Sequence, residues 1–139
     1  MRLSFDEALR RFHSHDHGVL STLNPGRGID SVPVVYGIDA DGFVGIPIDT
    51  VKPKSSTSLQ REANLEADRR ATLLVDFWDH KDWSQLWWVR VRLEQMDDDI
   101  SRAAQLADVL ASKYPQYSDK PFARVMIFSI KTVTGWTAT

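Results

Sequence analysis

Hydrophobic and polar positions follow a helical period at the start of the chain and then change to alternation. Ser4 and Glu7 form an S-x-x-E capping box, and apolar residues follow at helical spacing. Residues 4–16 are therefore predicted to form a first helix, which Gly18 would end.

Two later stretches also carry the helical pattern. Residues 56–67 predict a second helix, and three successive aspartates predict the start of a third at about 99–113. The apolar side of the third helix is expected to consist of Ile100, Ala103, Ala104, Ala107 and Leu110.

Between these helices, short segments rich in β-branched residues are separated by turn signals such as NPGRG and DADG. They predict six strands, at residues 19–23, 29–38, 43–48, 71–78, 85–96 and 123–133. Pro33 and Pro47 cannot donate a ladder hydrogen bond, so each should lie at an edge or a bulge. The pattern predicts a mainly β protein with flanking helices, whose six mostly antiparallel strands form a small barrel in one domain, residues 1–139.

Two consecutive predicted strands carry large apolar residues on both faces. Alternation turns one set toward the core: Leu73, Val75, Phe77, Trp87, Val89, Val91 and Leu93. The opposite faces also carry large apolar residues: Leu74, Trp78, Leu86 and Trp88. Large apolar patches outside a core usually mark a partner or a ligand. We therefore expect this outer face to be a subunit interface that also closes over a flat ligand.

Composition narrows the function classes. Among 139 residues, 42% are hydrophobic and 26% charged, with a net charge of −2, so the chain lacks the basic field expected of a nucleic-acid binder. The absence of cysteine excludes thiolate catalysis, disulfides and iron–sulfur clusters. The start, MRLSFDEALRRF, does not resemble a signal peptide, and no apolar run approaches the length of a membrane span. We expect a cytoplasmic protein that binds neither membranes nor nucleic acid.

The segment DTVKPKSSTSLQREANL places cations and hydroxyl residues directly before a predicted helix. Backbone N–H groups and hydroxyls at a helix start bind phosphate well, and Lys52 and Lys54 would add positive charge. Arg61, about one turn into the helix, could reach the same anion. The alternative is that one hydroxyl caps the helix while the lysines are solvated.

Other chemistry has less support in the sequence. His13 and His17 would be at i, i+4 on a helix, but a helix C-terminus favours histidine without a metal, so we expect no metal site. There is no G-x-S-x-G nucleophile motif. The acidic loop at residues 76–82 is expected to be solvated. No residue is assigned a catalytic role, and an enzyme built on this chain would depend on a cofactor.

Several segments together resemble a known family: VPVVYGID, DTVKPKSSTSLQREANLEADRRATLLVD, DWSQLWWVRV, ASKYPQYSD and a closing GW. In this order they are similar to the pyridoxamine-5′-phosphate-oxidase-like split β-barrels, and more closely to the flavin/deazaflavin oxidoreductases predicted to use coenzyme F-420. The likeness runs from about residue 17 to Trp136. Asp68–Arg69 replaces the asparagine–proline pair frequent in the family, and Arg27 lies in an unusual first hairpin, where we expect it to be solvated.

The resemblance implies an FMN-binding-like split barrel that forms a homodimer with cofactor at the subunit interface. Carried onto this sequence, the cofactor phosphate would be held by Lys52, Lys54, Ser55, Ser56, Thr57 and Arg61. Ile46, Pro47, Ile48 and Asp49 would run along the ring system. Trp78, Trp83 and Trp88 would pack against the cofactor or the substrate.

The implied activity is hydride transfer between F-420 and a small unsaturated or quinone-like substrate. The alternative is an FMN-binding oxidase or a flavin reductase of the pyridoxamine-5′-phosphate-oxidase type. A third hypothesis is a non-catalytic cofactor-binding protein. The sequence alone does not name the substrate or choose between F-420 and FMN.

Overall fold

The computed structural model of the chain describes residues 1–50 and 56–139, with the side chains of residues 56–59 left out of the description. The helices are α1 (Phe5–Ser14), α2 (Ser56–Ala67) and α3 (Ile100–Lys113), followed by a 3-10 turn (Pro115–Tyr117). The strands are β1 (Gly18–Asn24), β2 (Gly28–Val34), β3 (Gly37–Ile38), β4 (Val44–Asp49), β5 (Arg70–Asp79), β6 (Asp82–Gln95) and β7 (Phe122–Thr137).

The first and third helices start where the sequence predicts. The Ser4 hydroxyl accepts a hydrogen bond from the backbone N–H of Glu7 at 3.1 Å, which confirms the cap of α1. The Asp99 carboxylate accepts from the N–H of Arg102 at 3.0 Å in the same way at α3.

The predicted apolar side of α3 is partly wrong. Leu106 and Leu110 form its buried centre, whereas Ile100 is 91% exposed and Ala104 is also exposed. Ile100 is the first residue of the helix, so it lies beyond the end of the surface that α3 covers.

The strands form one antiparallel sheet in the order β2-β1-β5-β6-β7-β4-β3. The sequence predicts six strands, but the predicted strand at residues 29–38 is divided into β2 and β3, which lie at opposite edges of the sheet. Among the described residues the sheet therefore has seven strands, and its edges do not pair to close it, in contrast to the six-stranded barrel expected. Because only Val35 and Tyr36 separate the two edge strands, the edges lie within roughly 10 Å of each other there. The sheet is curled like a barrel with one unpaired seam.

Both prolines lie where a missing N–H is tolerated. Pro33 is on the edge strand β2. Pro47 lies on β4 beyond the short β3, which pairs only with residues 44–45, and next to a register shift after Ile48. The prediction that each proline lies at an edge or a bulge is confirmed.

The inner face of the curled sheet forms the main core. Leu73, Val89 and Val91 are fully buried there, as alternation predicts. Helix α1 covers one opening of the barrel, where the Phe12 ring stacks on Tyr36 at a centroid distance of 4.6 Å. A second, smaller apolar cluster packs α3 on the outside of β4 and β7.

The β5–β6 hairpin extends past the rest of the sheet. Pairing of β1 with β5 ends at Leu74, and pairing of β7 with β6 ends at Trp87. Residues 77–85, called the hairpin arm below, are all exposed. Phe77, predicted to face the core, is 46% exposed because β1, the neighbour of β5, pairs with it only as far as Leu74.

Candidate functional site

Most side chains of the predicted phosphate-binding segment lie outside the part of the chain that the structure describes. Lys52, Lys54 and Ser55 lie outside the described residues. Ser56 and Thr57 are the first two residues of α2, and their side chains are not described. The segment 56–67 is confirmed as a helix, and its first turn contains no acidic residue that would oppose an anion.

Arg61 is the one residue of that predicted site whose side chain is described. It is half-buried on α2 and lines a cavity of about 370 Å³ between α2 and the β1–β2 hairpin. Its Nε is buried and has no hydrogen-bond partner among the described residues. Burial lowers the pKa of the Arg61 guanidinium, while the nearby Glu62, Asp49 and Tyr117 act in the opposite direction.

The same cavity has a second arginine. Arg27 lines it from the tip of the β1–β2 hairpin, together with the hydroxyl residues Thr22 and Ser31. The Arg27 guanidinium binds the Asp30 carboxylate through two hydrogen bonds of 3.0 and 2.9 Å, so its direction is fixed. The expectation that Arg27 is simply a solvated hairpin residue is incomplete, because it shares a cavity with Arg61.

Asn64 connects these elements. It is 1% exposed, and its amide nitrogen donates to Thr22 Oγ1 at 3.0 Å and to Asp30 Oδ2 at 2.9 Å. Its oxygen accepts from Gln60 at 2.9 Å and from Asn24 at 3.2 Å. Asn64 thereby ties α2 to the β1–β2 hairpin and sets the position of Arg61. Sequence reasoning did not single it out, although a mid-helix asparagine beside the buried Leu65 was a usable signal.

The predicted ring-contacting strand is β4. Ile46 and Ile48 are buried in the main core, and Pro47 is buried as well. Asp49 is half-buried and accepts a 2.5 Å hydrogen bond from the Tyr117 hydroxyl, whose pKa is raised by burial and by this carboxylate. Beyond the two residues paired with β3, this edge of β4 pairs with no other strand among the described residues. Ile46, Pro47 and Ile48 are nevertheless buried in the single chain, and Asp49 is the one of the four that is partly exposed.

The three predicted tryptophans are all associated with the β5–β6 hairpin. Trp78 and Trp83 pack edge-to-face on the arm, with ring centroids 6.3 Å apart, and are 54% and 69% exposed. Trp88 lies nearer the base, is half-buried, and has the Arg90 guanidinium 5.2 Å from its ring centroid. Trp136 pairs with Trp88 across the strands and is 37% exposed, which adds a fourth indole to this surface.

The outer face of the sheet also has a groove, with a volume of about 420 Å³. Its walls combine the apolar side chains of Leu23 and Ile29 with the cations Arg70, Arg92 and Lys131. Of the apolar residues that the sequence predicts at an interface, Trp78 belongs to the hairpin arm, whereas Leu74, Leu86 and Trp88 belong neither to the arm nor to this groove. Apolar and cationic groups side by side suit an amphipathic anion or a complementary protein surface.

No protein-family model matches the chain, and no curated protein matches it significantly. Solved structures do resemble it. An FAD-binding protein from Mesorhizobium loti is 19% identical with a TM-score of 0.70, over 97% of this chain and 95% of that one. An FMN-binding protein from Syntrophomonas wolfei is 15% identical with a TM-score of 0.69, over 96% and 88%.

A proposed pyridoxamine 5′-phosphate oxidase from Corynebacterium glutamicum is 16% identical with a TM-score of 0.58, over 97% and 90% of the two chains. The chain therefore has the fold of the pyridoxamine-5′-phosphate-oxidase-like split-barrel proteins, among which are FMN- and FAD-binding proteins. No helix among the described residues is long and apolar enough to span a membrane.

Proposed function

We propose that this chain is a homodimeric oxidoreductase that holds a phosphorylated deazaflavin, coenzyme F-420, and passes a hydride to a small unsaturated or quinone-like substrate. The observation that carries the proposal is the cavity beside α2. There the buried Nε of Arg61 has no partner among the described residues, and Arg27 adds a second cation. A buried guanidinium without its full set of acceptors favours an anionic ligand.

The chemistry of this cavity fits a phosphate. Two guanidinium groups and the hydroxyls of Thr22 and Ser31 line it, and arginine binds phosphate through paired N–H donors. In this proposal Lys52, Lys54, Ser55, Ser56 and Thr57 complete the phosphate site, since they directly precede and begin the same helix. Asp30 already neutralises part of the charge on Arg27, so Arg61 is the principal cation of the described residues.

The hairpin arm supports the homodimeric part of the proposal. A two-stranded ribbon is only marginally stable by itself in water, and here it carries three exposed aromatic side chains. A second copy of the chain would cover them, and tryptophan contributes strongly at interfaces. The single chain leaves Ile46 and Ile48 in its core, so the wall over the cofactor ring would come from Trp88 or from the arm of the partner subunit.

When bound, a deazaflavin supplies hydride at ring C5, and a flavin supplies it at N5. The contribution of the chain is to bind, orient and exclude water. Arg61, Arg27 and the start of α2 would hold the phosphate, and Asp49 at the end of β4 would face the ring system. The indoles of Trp78, Trp83 and Trp88 would keep water from the reacting face.

Turnover is the direct test. The purified chain would be supplied with reduced F-420 and a panel of enones and quinones, while the absorbance of oxidised F-420 is followed. The proposal predicts substrate-dependent recovery of that absorbance. No turnover with any acceptor, by protein that binds the cofactor, would contradict the enzymatic part and favour a non-catalytic cofactor-binding protein.

A second candidate is an FMN-binding oxidase or flavin reductase. It is favoured by the FMN- and FAD-binding proteins among the structures that the chain resembles, whereas F-420 is supported by the sequence resemblance alone. The two differ in their reaction with oxygen, since reduced FMN reacts readily and reduced deazaflavin does not. Oxygen consumption in the presence of reduced FMN, but none with reduced F-420, would favour this second candidate.

A further inference from the structure

Three potential metal ligands converge just after α1: His15, Asp16 and His17. One ligand atom of each lies within 4.8 Å of the other two. The sequence analysis considered His13 and His17 as an i, i+4 pair on a helix and predicted no metal site. The helix ends at Ser14, so that pair does not form, and His15 joins His17 instead.

The backbone of this cluster is anchored. The N–H of His15 donates to the Arg11 carbonyl at 3.1 Å, and the Tyr114 hydroxyl donates to the Asp16 carbonyl at 2.7 Å. The His15 ring is half-buried and packs edge-on against Trp87 at 5.3 Å. One ligand is therefore held by packing, while the exposed side chains of Asp16 and His17 can adjust around an ion.

The local charges suit a cation. The Asp16 carboxylate lies 2.7 Å from His17 Nδ1, and Asp76 is a second carboxylate near His15. The Lys113 ammonium opposes binding, but it is directed to the Tyr36 carbonyl at 3.1 Å.

We propose that His15, Asp16 and His17 bind a divalent first-row transition metal ion, with two imidazole nitrogens and one carboxylate oxygen as ligands and water completing the coordination. In a tetrahedral zinc site, bonds of about 2.0–2.1 Å bring ligand atoms to roughly 3.3 Å from one another. Side-chain rotations of the exposed Asp16 and His17 are enough to reach that spacing from 4.8 Å. This proposal is independent of the cofactor site.

Calorimetric titration of the metal-free, untagged full chain with Zn²⁺ tests the proposal. We expect one ion per chain, and at least a roughly tenfold loss of affinity in His17→Ala, since even the groups that orient metal ligands are worth about 10–100-fold. His17 is exposed, so this variant should keep its fold, which circular dichroism checks. Asp16→Asn should weaken Zn²⁺ in the same direction.

His13→Ala is the matched control, because it removes an exposed imidazole four residues away without touching the cluster. A second readout is quenching of tryptophan fluorescence by Cu²⁺, which should decrease in His15→Ala because Trp87 lies beside His15. Equal Zn²⁺ affinity in the wild type and the His15→Ala/His17→Ala double variant would overturn the proposal. An equal loss in His13→Ala would do so as well.

Discussion

The base and the arm of the β5–β6 hairpin share one alternating sequence but have different surroundings. At the base, Leu73, Val89 and Val91 are fully buried, and strands lie on both sides. In the arm, Phe77, which continues the inward-facing set of β5, is 46% exposed, and Trp83 is 69% exposed. The burial of the base is explained by this chain alone, whereas the aromatic residues of the arm have no such explanation within one chain.

Arg61, like the aromatic residues of the arm, has surroundings that the fold of one chain does not explain. Its guanidinium is half-buried, yet its Nε has no partner among the described residues. Burial without a partner costs free energy. Arg90 and Arg124 share this feature among the described residues, but of the three only Arg61 lines the cavity beside α2. The base of the hairpin thus contains residues that stabilise the fold, whereas the arm and Arg61 are candidates to contact a partner or a ligand.

The largest change in the free energy of unfolding is expected from a substitution at the base of the β5–β6 hairpin. Leu73→Ala should lower the free energy of unfolding by about 2–5 kcal/mol, because it removes a fully buried side chain and leaves a cavity. Phe77→Ala, at dilutions where the chain is monomeric, should change it by no more than about 0.5 kcal/mol. Denaturant unfolding of both variants measures the difference, and equal losses would remove the distinction between base and arm.

The next effect concerns the outer face. Trp88→Glu should weaken the proposed dimer or the proposed cofactor site, because truncating a tryptophan at an interface commonly costs about 2 kcal/mol or more. Sedimentation and cofactor titration measure the two outcomes. Gln116→Glu adds the same charge at an exposed site on the 3-10 turn and serves as the control. Our interpretation of the outer face would be wrong if Trp88→Glu left both measurements unchanged.

Substitutions in the proposed phosphate site should lower the affinity for the phosphorylated cofactor selectively. Lys54→Ala and Arg61→Gln should each weaken the phosphorylated cofactor by about tenfold, since a hydrogen bond to a charged group contributes about 1.5–3 kcal/mol. The dephosphorylated form should be affected much less. Arg10→Ala removes an exposed cation on α1 and should affect neither form. Equal losses for both forms of the cofactor would rule out the phosphate assignment.

The smallest effect is a pH-dependent one at the start of β5. The Asp68 carboxylate accepts hydrogen bonds from the Arg70 side chain and backbone, which lower the pKa of Asp68 from 3.8 to about 2. A lowered carboxylate pKa stabilises the folded state above the unfolded pKa, and the contribution is lost as the pH falls from about 4 to about 2. Asp68→Asn should therefore lower Tm slightly at pH 7.

Thermal unfolding of Asp68→Asn and the wild type across this range measures the effect, and the two Tm values should converge toward pH 2. Asp82→Asn is the comparison in the arm, where Ser84 and Gln85 lower the pKa of Asp82. Because the arm is exposed, its Tm change should be smaller still. A difference in Tm that persists below pH 2 for Asp68→Asn would show that the ion pair is not its cause.

Capping and alternation patterns correctly predicted the features that depend only on residues close in sequence. The S-x-x-E box fixed the start of α1, and alternation identified the core residues of β6. The split of residues 29–38 into β2 and β3 was missed because it depends on distant contacts. Tyr36, at the division, stacks on Phe12 and donates its hydroxyl hydrogen bond to the Phe12 carbonyl. The sequence pattern around Tyr36 contains no sign of that packing.

At the candidate site, too, the sequence predicted local features but not the contacts between distant segments. The sequence identified cations and hydroxyls at the start of α2 because helix termini bind anions by a local mechanism. It did not reveal that Arg27 shares a cavity with Arg61, or that Asn64 holds α2 against β1 and β2. Both facts depend on which strand lies beside the helix, and the exposure of Phe77 likewise depends on where β1 ends.

The most direct test of the account is a parallel fluorescence titration of the apo-protein with oxidised F-420 and with FMN. The predicted result is binding of F-420 in the micromolar range, much weaker binding of FMN, and about tenfold weaker binding of F-420 in Arg61→Gln. Preference for FMN would contradict the deazaflavin assignment and move the chain to the flavin-dependent alternative. Binding of neither would contradict the central claim that this split barrel holds a phosphorylated flavin-type cofactor.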